Sequence, residues 1–348
     1  MDLSSQNQNV YGGFDWKLFN RDVRRDVCNC VLFLAFFYAV NLAASFIIEA
    51  VFLFRDPAFL ALMSDPSSLG GIFSGDLSAS GWESYTDAVM NTQSGPMPAL
   101  ISIISTVAGG CVFLIYRKRR FFTDLALPAA ERMTPAIFII LVVATQGFQC
   151  VYGLLVALAD SLLPEGLSLA DSYSSALDIL LTPLGLLYIV LVGPLFEELI
   201  FRGAVIGSLR RFGDNFAILF SALLFGLYHM LIMQIPFAFV MGLLLGYVAV
   251  RWSLRFSVLL HIIVNGLSVL FSDIDNTALQ TAGGLAMVIC AFATLILAIA
   301  LRWRLRTRIS LGAAYYPHTY ANGFSSIAFW AFAVIMTAIG LLQINMAS

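Results

Sequence analysis

The sequence predicts an all-α fold: a polytopic transmembrane helical bundle of about nine spans, with its N-terminus in the cytoplasm. Three observations predict it. The 348-residue chain is 60% hydrophobic and only 11% charged, where soluble domains carry about 25% charged residues. Its apolar residues fall into stretches close to the roughly 20 residues that cross a hydrocarbon core. Lys and Arg gather in alternate connections, as the positive-inside rule requires of a multi-pass protein.

The first stretch, residues 28–53, follows Lys17, Arg21, Arg24 and Arg25. Residues 1–26 before it are polar and mixed in charge. The apolar run is also longer than the core of a cleaved leader, so it is expected to stay as a span. Residues 55–97 are rich in Ser, Gly, Asp and Pro with one basic residue, Arg55, and are expected to be a solvated outer linker. The second stretch, 97–116, ends in Arg117-Lys118-Arg119-Arg120. The third, 135–159, precedes an acidic connection with Asp160, Glu165 and Asp171. The fourth, 176–207, is followed by Arg210 and Arg211. The fifth and sixth, 215–233 and 235–250, form a tight hairpin around Gln234 and Pro236, and lead to Arg251 and Arg255. The seventh, 256–271, precedes Asp273 and Asp275. The eighth, 282–300, precedes Arg302, Arg304, Arg306 and Arg308. The ninth, 324–344, places the C-terminus outside.

Three regions follow: N-terminal spans (1–135), a core (136–275) and C-terminal spans (276–348). Gly203 with Gly207 and Gly242 with Gly246 have the four-residue spacing that lets helices approach closely in lipid. Trp252 and Trp303 sit at span ends, where interfacial aromatics are expected. The protein is therefore expected to be integral to a lipid bilayer, in the plasma membrane if the source is prokaryotic. No basic cluster interleaved with aromatics points to nucleic acid. The five cysteines, Cys28, Cys30, Cys111, Cys150 and Cys290, lie in or beside apolar runs and read as small hydrophobes.

Against this background the ionisable residues of the apolar stretches stand out, because charge at membrane depth costs about 2.5–3.5 kcal/mol per group on insertion scales. The fourth stretch carries Glu197, Glu198 and Arg202. Glu198 and Arg202 are four apart, share a helix face and can pair. Glu197 points about 100° away and is left for other work. Of three histidines, His318 falls in a connection, His229 closes Phe225-Gly226-Leu227-Tyr228-His229, and His261 stands four residues before Asn265, one turn apart on one face. Each polar group taken alone reads equally well as interhelical glue. Taken together, a spare carboxylate, two histidines and an amide on three stretches are what water activation in a dry cavity needs. Simple rise per residue places Glu197 and His229 at similar depth and His261 shallower, unless a helix tilts or breaks near Ser253.

Glu-Glu-x-x-x-Arg at 197–202, Phe-x-x-x-His at 225–229 and His-x-x-x-Asn at 261–265, each on its own span, resemble the CPBP family of intramembrane proteases. That family includes the type II CAAX prenyl endopeptidases and the bacteriocin-processing and immunity proteins. The resemblance covers about residues 176–272. It implies an endopeptidase acting on a membrane-associated peptide or protein substrate. Glu197 would activate water with help from His229, His261 and Asn265 would stabilise the oxyanion, and Glu198 and Arg202 would hold the site together.

Glu197, His229 and His261 are also a candidate zinc set with an open fourth position, although the spacing is not His-Glu-x-x-His. A metal-free mechanism is equally open. Two other classes compete with the protease: a non-catalytic immunity or peptide-binding protein with the same helices, and a proton-coupled transporter. The transporter would need internal symmetry, which the sequence does not display.

Overall fold

The computed structural model describes residues 15–65, 79–92, 94–117, 131–163, 168, 182–272, 277–311 and 318–347. Lys118, Arg119, Arg120, Glu165, Asp171, Asp273, Asp275 and the middle of the 55–97 connection lie outside the described residues. Among the described residues every regular element is helical.

Local chemistry sets the helix starts. Helix α1, Trp16–Leu53, begins where the Asp15 side chain accepts from Leu18 N at 2.9 Å, a side-chain cap for an orphan N–H. Within the 55–97 connection, α2 (Pro57–Ser64) starts under the Asp56 cap and α3 is Ala79–Thr92. The connection thus holds two helices among its described residues. Phe59 stacks edge-on against Phe54 and lies 6.3 Å from Tyr85, which itself meets Trp82. The connection thus has aromatic side chains to pack.

Helix α4 is Met97–Arg117. Helix α5, Pro135–Asp160, is capped by Thr134, with Pro135 in the first turn, where its missing N–H is harmless. The α6 helix runs over Pro183–Phe212, α7 over Asp214–Tyr228, α8 over Gln234–Arg251, and α9 over Leu254–Ser272. Helices α10 (Thr277–Leu311), α11 (Thr319–Phe324) and α12 (Ile327–Ala347) complete the chain. Five stretches are long and apolar enough to cross a membrane, in α1, α5, α6, α8 and α10. Four shorter apolar helices, Met97–Val112, Asp214–Tyr228, Leu254–Leu270 and Ile327–Leu342, accompany them. All nine coincide with the predicted stretches, and five have full span length.

The main core joins α1, α6, α7 and α12. Leu34 and Phe37 of α1 and Phe329 of α12 close around Phe201, Phe216 and Phe220, all at most 5% exposed. Gly242 lets α8 lie against α7, since a Cβ there would stand 3.0 Å from Ala222 Cα. A second cluster packs Leu245 and Val248 of α8 against Leu260 and Val264 of α9. Trp252 belongs to this cluster, 5% exposed and edge-on to Tyr247. This corrects its reading as an interfacial aromatic: the break at 252–253 turns the indole inward. Trp303, 65% exposed, lies where a membrane-facing ring is expected.

Two helix ends differ from the sequence reading in ways that matter for the site. The fifth helix stops at Tyr228, so His229 caps its end instead of lying within a span that reaches 233. Met230 takes a left-handed φ of 57°, costly for a residue with a Cβ, and Leu231 N donates back to His229 O at 2.7 Å. The turn needs room: a Cβ on Gly340 of α12 would collide with the Met230 carbonyl. The second difference is the internal build of α6.

Candidate active site

Within α6 the backbone changes register twice. Tyr188–Val192 and Leu199–Ile206 are π-helical, and the α-helical turn Gly193–Glu198 lies between them. Widened turns of this kind are rare and cluster at functional sites. The sequence supplies a cause for the first. In π register Gly193 N donates to Tyr188 O, and the next donor in line, for Ile189 O, would be residue 194. That residue is Pro194 and has no N–H. Asn265 Nδ2 of α9 supplies the missing donor, 3.0 Å from Ile189 O. In the second widened stretch, Ser221 Oγ of α7 donates to Phe201 O at 2.9 Å. Extra residues per turn also shorten α6. Together with the break at 252–253, this brings Glu197 and His261 to one depth.

Glu198 is the hub. Its side chain is fully buried, as is that of Arg202, and Arg202 Nη1 lies 3.0 Å from Glu198 Oε1. The i,i+4 pairing expected from the sequence is therefore present. His261 Nδ1 is 3.0 Å from the same oxygen, and Ser257 Oγ donates to Oε2 at 2.5 Å. Arg202 Nη2 reaches Gly242 O at 3.4 Å, and its guanidinium lies 4.4 Å above the Phe225 ring. A buried ion pair is helped by further hydrogen bonds; here α8 and α9 contribute them, while Arg202 Nε has no hydrogen-bond partner among the described residues. Phe225, first residue of the Phe-x-x-x-His motif, is the shared wall: its ring is edge-on to His229 and to His261.

Glu197 is different. Its side chain is 22% exposed, and its Oε2 lies 3.6 Å from His261 Nε2. It is close enough to Tyr188, Tyr228 and His229 to interact electrostatically with each. Each of those three residues keeps part of its accessible surface, and the space beside Glu197 that they border is the candidate cleft. His229 Nδ1 is 2.8 Å from Phe225 O. A carbonyl only accepts, so Nδ1 carries the proton and Nε2 presents a lone pair. His261 is held the same way. Its Nδ1–H points at the Glu198 carboxylate, and Nε2 turns to Glu197.

The structure thus brings Glu197, Glu198, Arg202 and His261 into direct contact and sets His229 beside them across Phe225. It places Asn265 one turn beyond His261, on the Ile189 carbonyl. Sequence reading missed Ser257, Tyr188 and Tyr228. Ser257 stands four before His261 and could have been found by the periodicity that paired His261 with Asn265. Tyr228 directly precedes His229 in its motif, and Tyr188, which meets Thr106 Oγ1 at 3.4 Å, carried no local signal. Among the described residues no three His, Cys, Asp or Glu side chains are grouped so as to hold a metal ion.

These helices and this network define an integral membrane protein with a partly open carboxylate set between two histidines at its core. Residues 179–267 match the family model described as Rce1-like, type II CAAX prenyl endopeptidase. Over this core the chain is similar to that family of membrane proteases. No curated protein and no solved structure matches the chain.

Proposed function

We propose that the protein is an intramembrane endopeptidase that hydrolyses a peptide bond of a membrane-associated substrate, with Glu197 as the base that activates water. The observation that carries this reading is the contrast between adjacent carboxylates: Glu198 is saturated by Arg202, His261 and Ser257, whereas Glu197 is partly open and 3.6 Å from His261 Nε2.

In this reading water bound at Glu197 gives it a proton as the water oxygen attacks the scissile carbonyl carbon. The carbonyl π electrons move to oxygen and form an oxyanion. Collapse restores C=O and breaks the C–N bond, and the proton reaches the leaving amine through His229 Nε2, a group suited to general acid–base work. Asn265 has one amide hydrogen left for the oxyanion. His261 serves it as well, with Glu198 and Arg202 fixing its ring. No step is routed through a metal, and activity is expected to persist through a chelator titration. The basic ends of the helices would face the cytoplasm.

The test uses the purified full chain in proteoliposomes with a quenched farnesylated Cys-a-a-X peptide and an unprenylated lipopeptide of the same sequence. Glu197→Gln should abolish cleavage while the protein elutes and melts as wild type does. A Glu197→Gln protein that cleaves as fast as wild type ends this assignment. Peptide binding with no product from wild type would favour the non-catalytic alternative.

A further inference from the structure

The cleft has plenty of acceptors and few donors. A tetrahedral oxyanion is stabilised by N–H or O–H groups aimed at it, yet the resting site has its protons committed elsewhere. The one proton of neutral His229 goes to Phe225 O, and that of His261 goes to Glu198. One amide hydrogen of Asn265 is spent on Ile189 O, the carbonyl that Pro194 leaves without a donor. Glu197 only accepts. A further donor that needs no prior protonation should therefore line the cleft.

Tyr228 meets that description. It ends α7 immediately before His229, and its ring is fixed by Phe201 at 5.5 Å and Phe37 at 6.2 Å. Its ring lies edge-on to His229, centroids 6.1 Å apart, and its phenol is close enough to Tyr188 and Glu197 to interact electrostatically with both. The residue keeps accessible surface inside the bundle. Among the described residues no side chain or backbone group is hydrogen-bonded to its hydroxyl. The neighbouring Tyr188 differs, because its hydroxyl meets Thr106 Oγ1.

We propose that the Tyr228 phenol is a catalytic residue that donates a hydrogen bond to the carbonyl oxygen of the scissile peptide bond as it becomes an oxyanion. This rests on the hydrolase reading above and adds to Asn265 and His261 a donor that carries its proton in the resting site. The phenol keeps its proton throughout and returns to the cleft when C=O reforms. It stabilises charge without entering the proton path of Glu197 and His229.

Tyr228→Phe deletes one oxygen and keeps the ring in its Phe201–Phe37 packing. With the farnesylated peptide in proteoliposomes it should lower kcat by about 10²-fold, the usual effect of losing one oxyanion donor, with KM near wild type. A peptide trifluoromethyl ketone, whose hydrate mimics the tetrahedral oxyanion, should bind Tyr228→Phe more weakly by a similar factor. Tyr320→Phe, at a ring that packs edge-on against Phe216 near the other end of α7, is the control for loss of a phenol and should keep wild-type activity. Wild-type kcat in Tyr228→Phe, with Glu197→Gln inactive in the same assay, overturns the proposal and leaves the hydrolase reading standing. Equal loss of kcat and thermal stability in both tyrosine variants, with unchanged inhibitor affinity per folded molecule, also overturns it. If wild type cleaves neither peptide, the hydrolase reading fails and the Tyr228 role falls with it.

Discussion

Helices α6 and α10 are both long and apolar, and they do opposite jobs. The most apolar stretch of α10, within Thr281–Trp303, buries none of its residues, whereas that of α6, within Pro183–Phe212, buries a third. The α10 helix shows Leu285, Ile289, Phe292 and Ile296 outward and meets α5 along one narrow seam, where Thr294 Oγ1 reaches Val143 O. The α6 helix carries two carboxylates and an arginine, and it departs from α-helical register twice. Hydrophobicity therefore measures contact with lipid, and the residues that break it mark where the protein faces itself. Burying charge in α6 is tolerable only because α7, α8 and α9 each supply a partner. On α10 the same charges would meet lipid.

That contrast can be broken experimentally. The largest effect is expected at Arg202→Leu. It strands Glu198 as a buried unpaired carboxylate and should cost about 3–5 kcal/mol, read as a large drop in melting temperature and yield in detergent. A melt like wild type would mean that α6 does not depend on the pair. Next is Gly340→Ala on α12, outside the family-matched segment. The added methyl would push the Met230 carbonyl and so shift His229. Displacing a catalytic group by about 1 Å can cost about 10²-fold in rate, so kcat should fall with KM near wild type, and the overpacking should lower stability in the melt by about 1–3 kcal/mol. Smaller still is Ser268→Ala, which removes the 2.9 Å Gln149–Ser268 hydrogen bond between α5 and α9. Bonds of this kind are worth about 0.6 kcal/mol in a membrane, and a thermal shift assay should register that and no more. Ile296→Ala, on the outward face of α10, should stay within about 0.5 kcal/mol of wild type. A larger loss there would show that α10 is covered by something other than lipid.

Much of this arrangement was legible in the sequence, for a definable reason. The Glu198–Arg202 pair and the His261–Asn265 face follow from helical periodicity, and nine apolar stretches follow from their length. What the sequence did not reveal were departures from ideal helices. The two π segments depend on donors from other helices, Asn265 for Ile189 O and Ser221 for Phe201 O. Pro194 hinted at the first, but only the fold says which side chain answers it. The early end of α7 at Tyr228 depends on Met230 accepting a left-handed backbone against α12. The inward turn of Trp252 depends on the break at 252–253, which composition alone did not distinguish from a span end.

The central claim is a division of labour between neighbouring carboxylates, and one paired measurement tests it most directly. Glu197→Gln and Glu198→Gln would be compared for peptide cleavage and thermal melting in the same proteoliposomes. The account predicts that Glu197→Gln loses cleavage and keeps its melting temperature, whereas Glu198→Gln loses cleavage and melts lower as its partners are left unsatisfied. Cleavage surviving in Glu197→Gln, or a melt lowered more by Glu197→Gln than by Glu198→Gln, would contradict it.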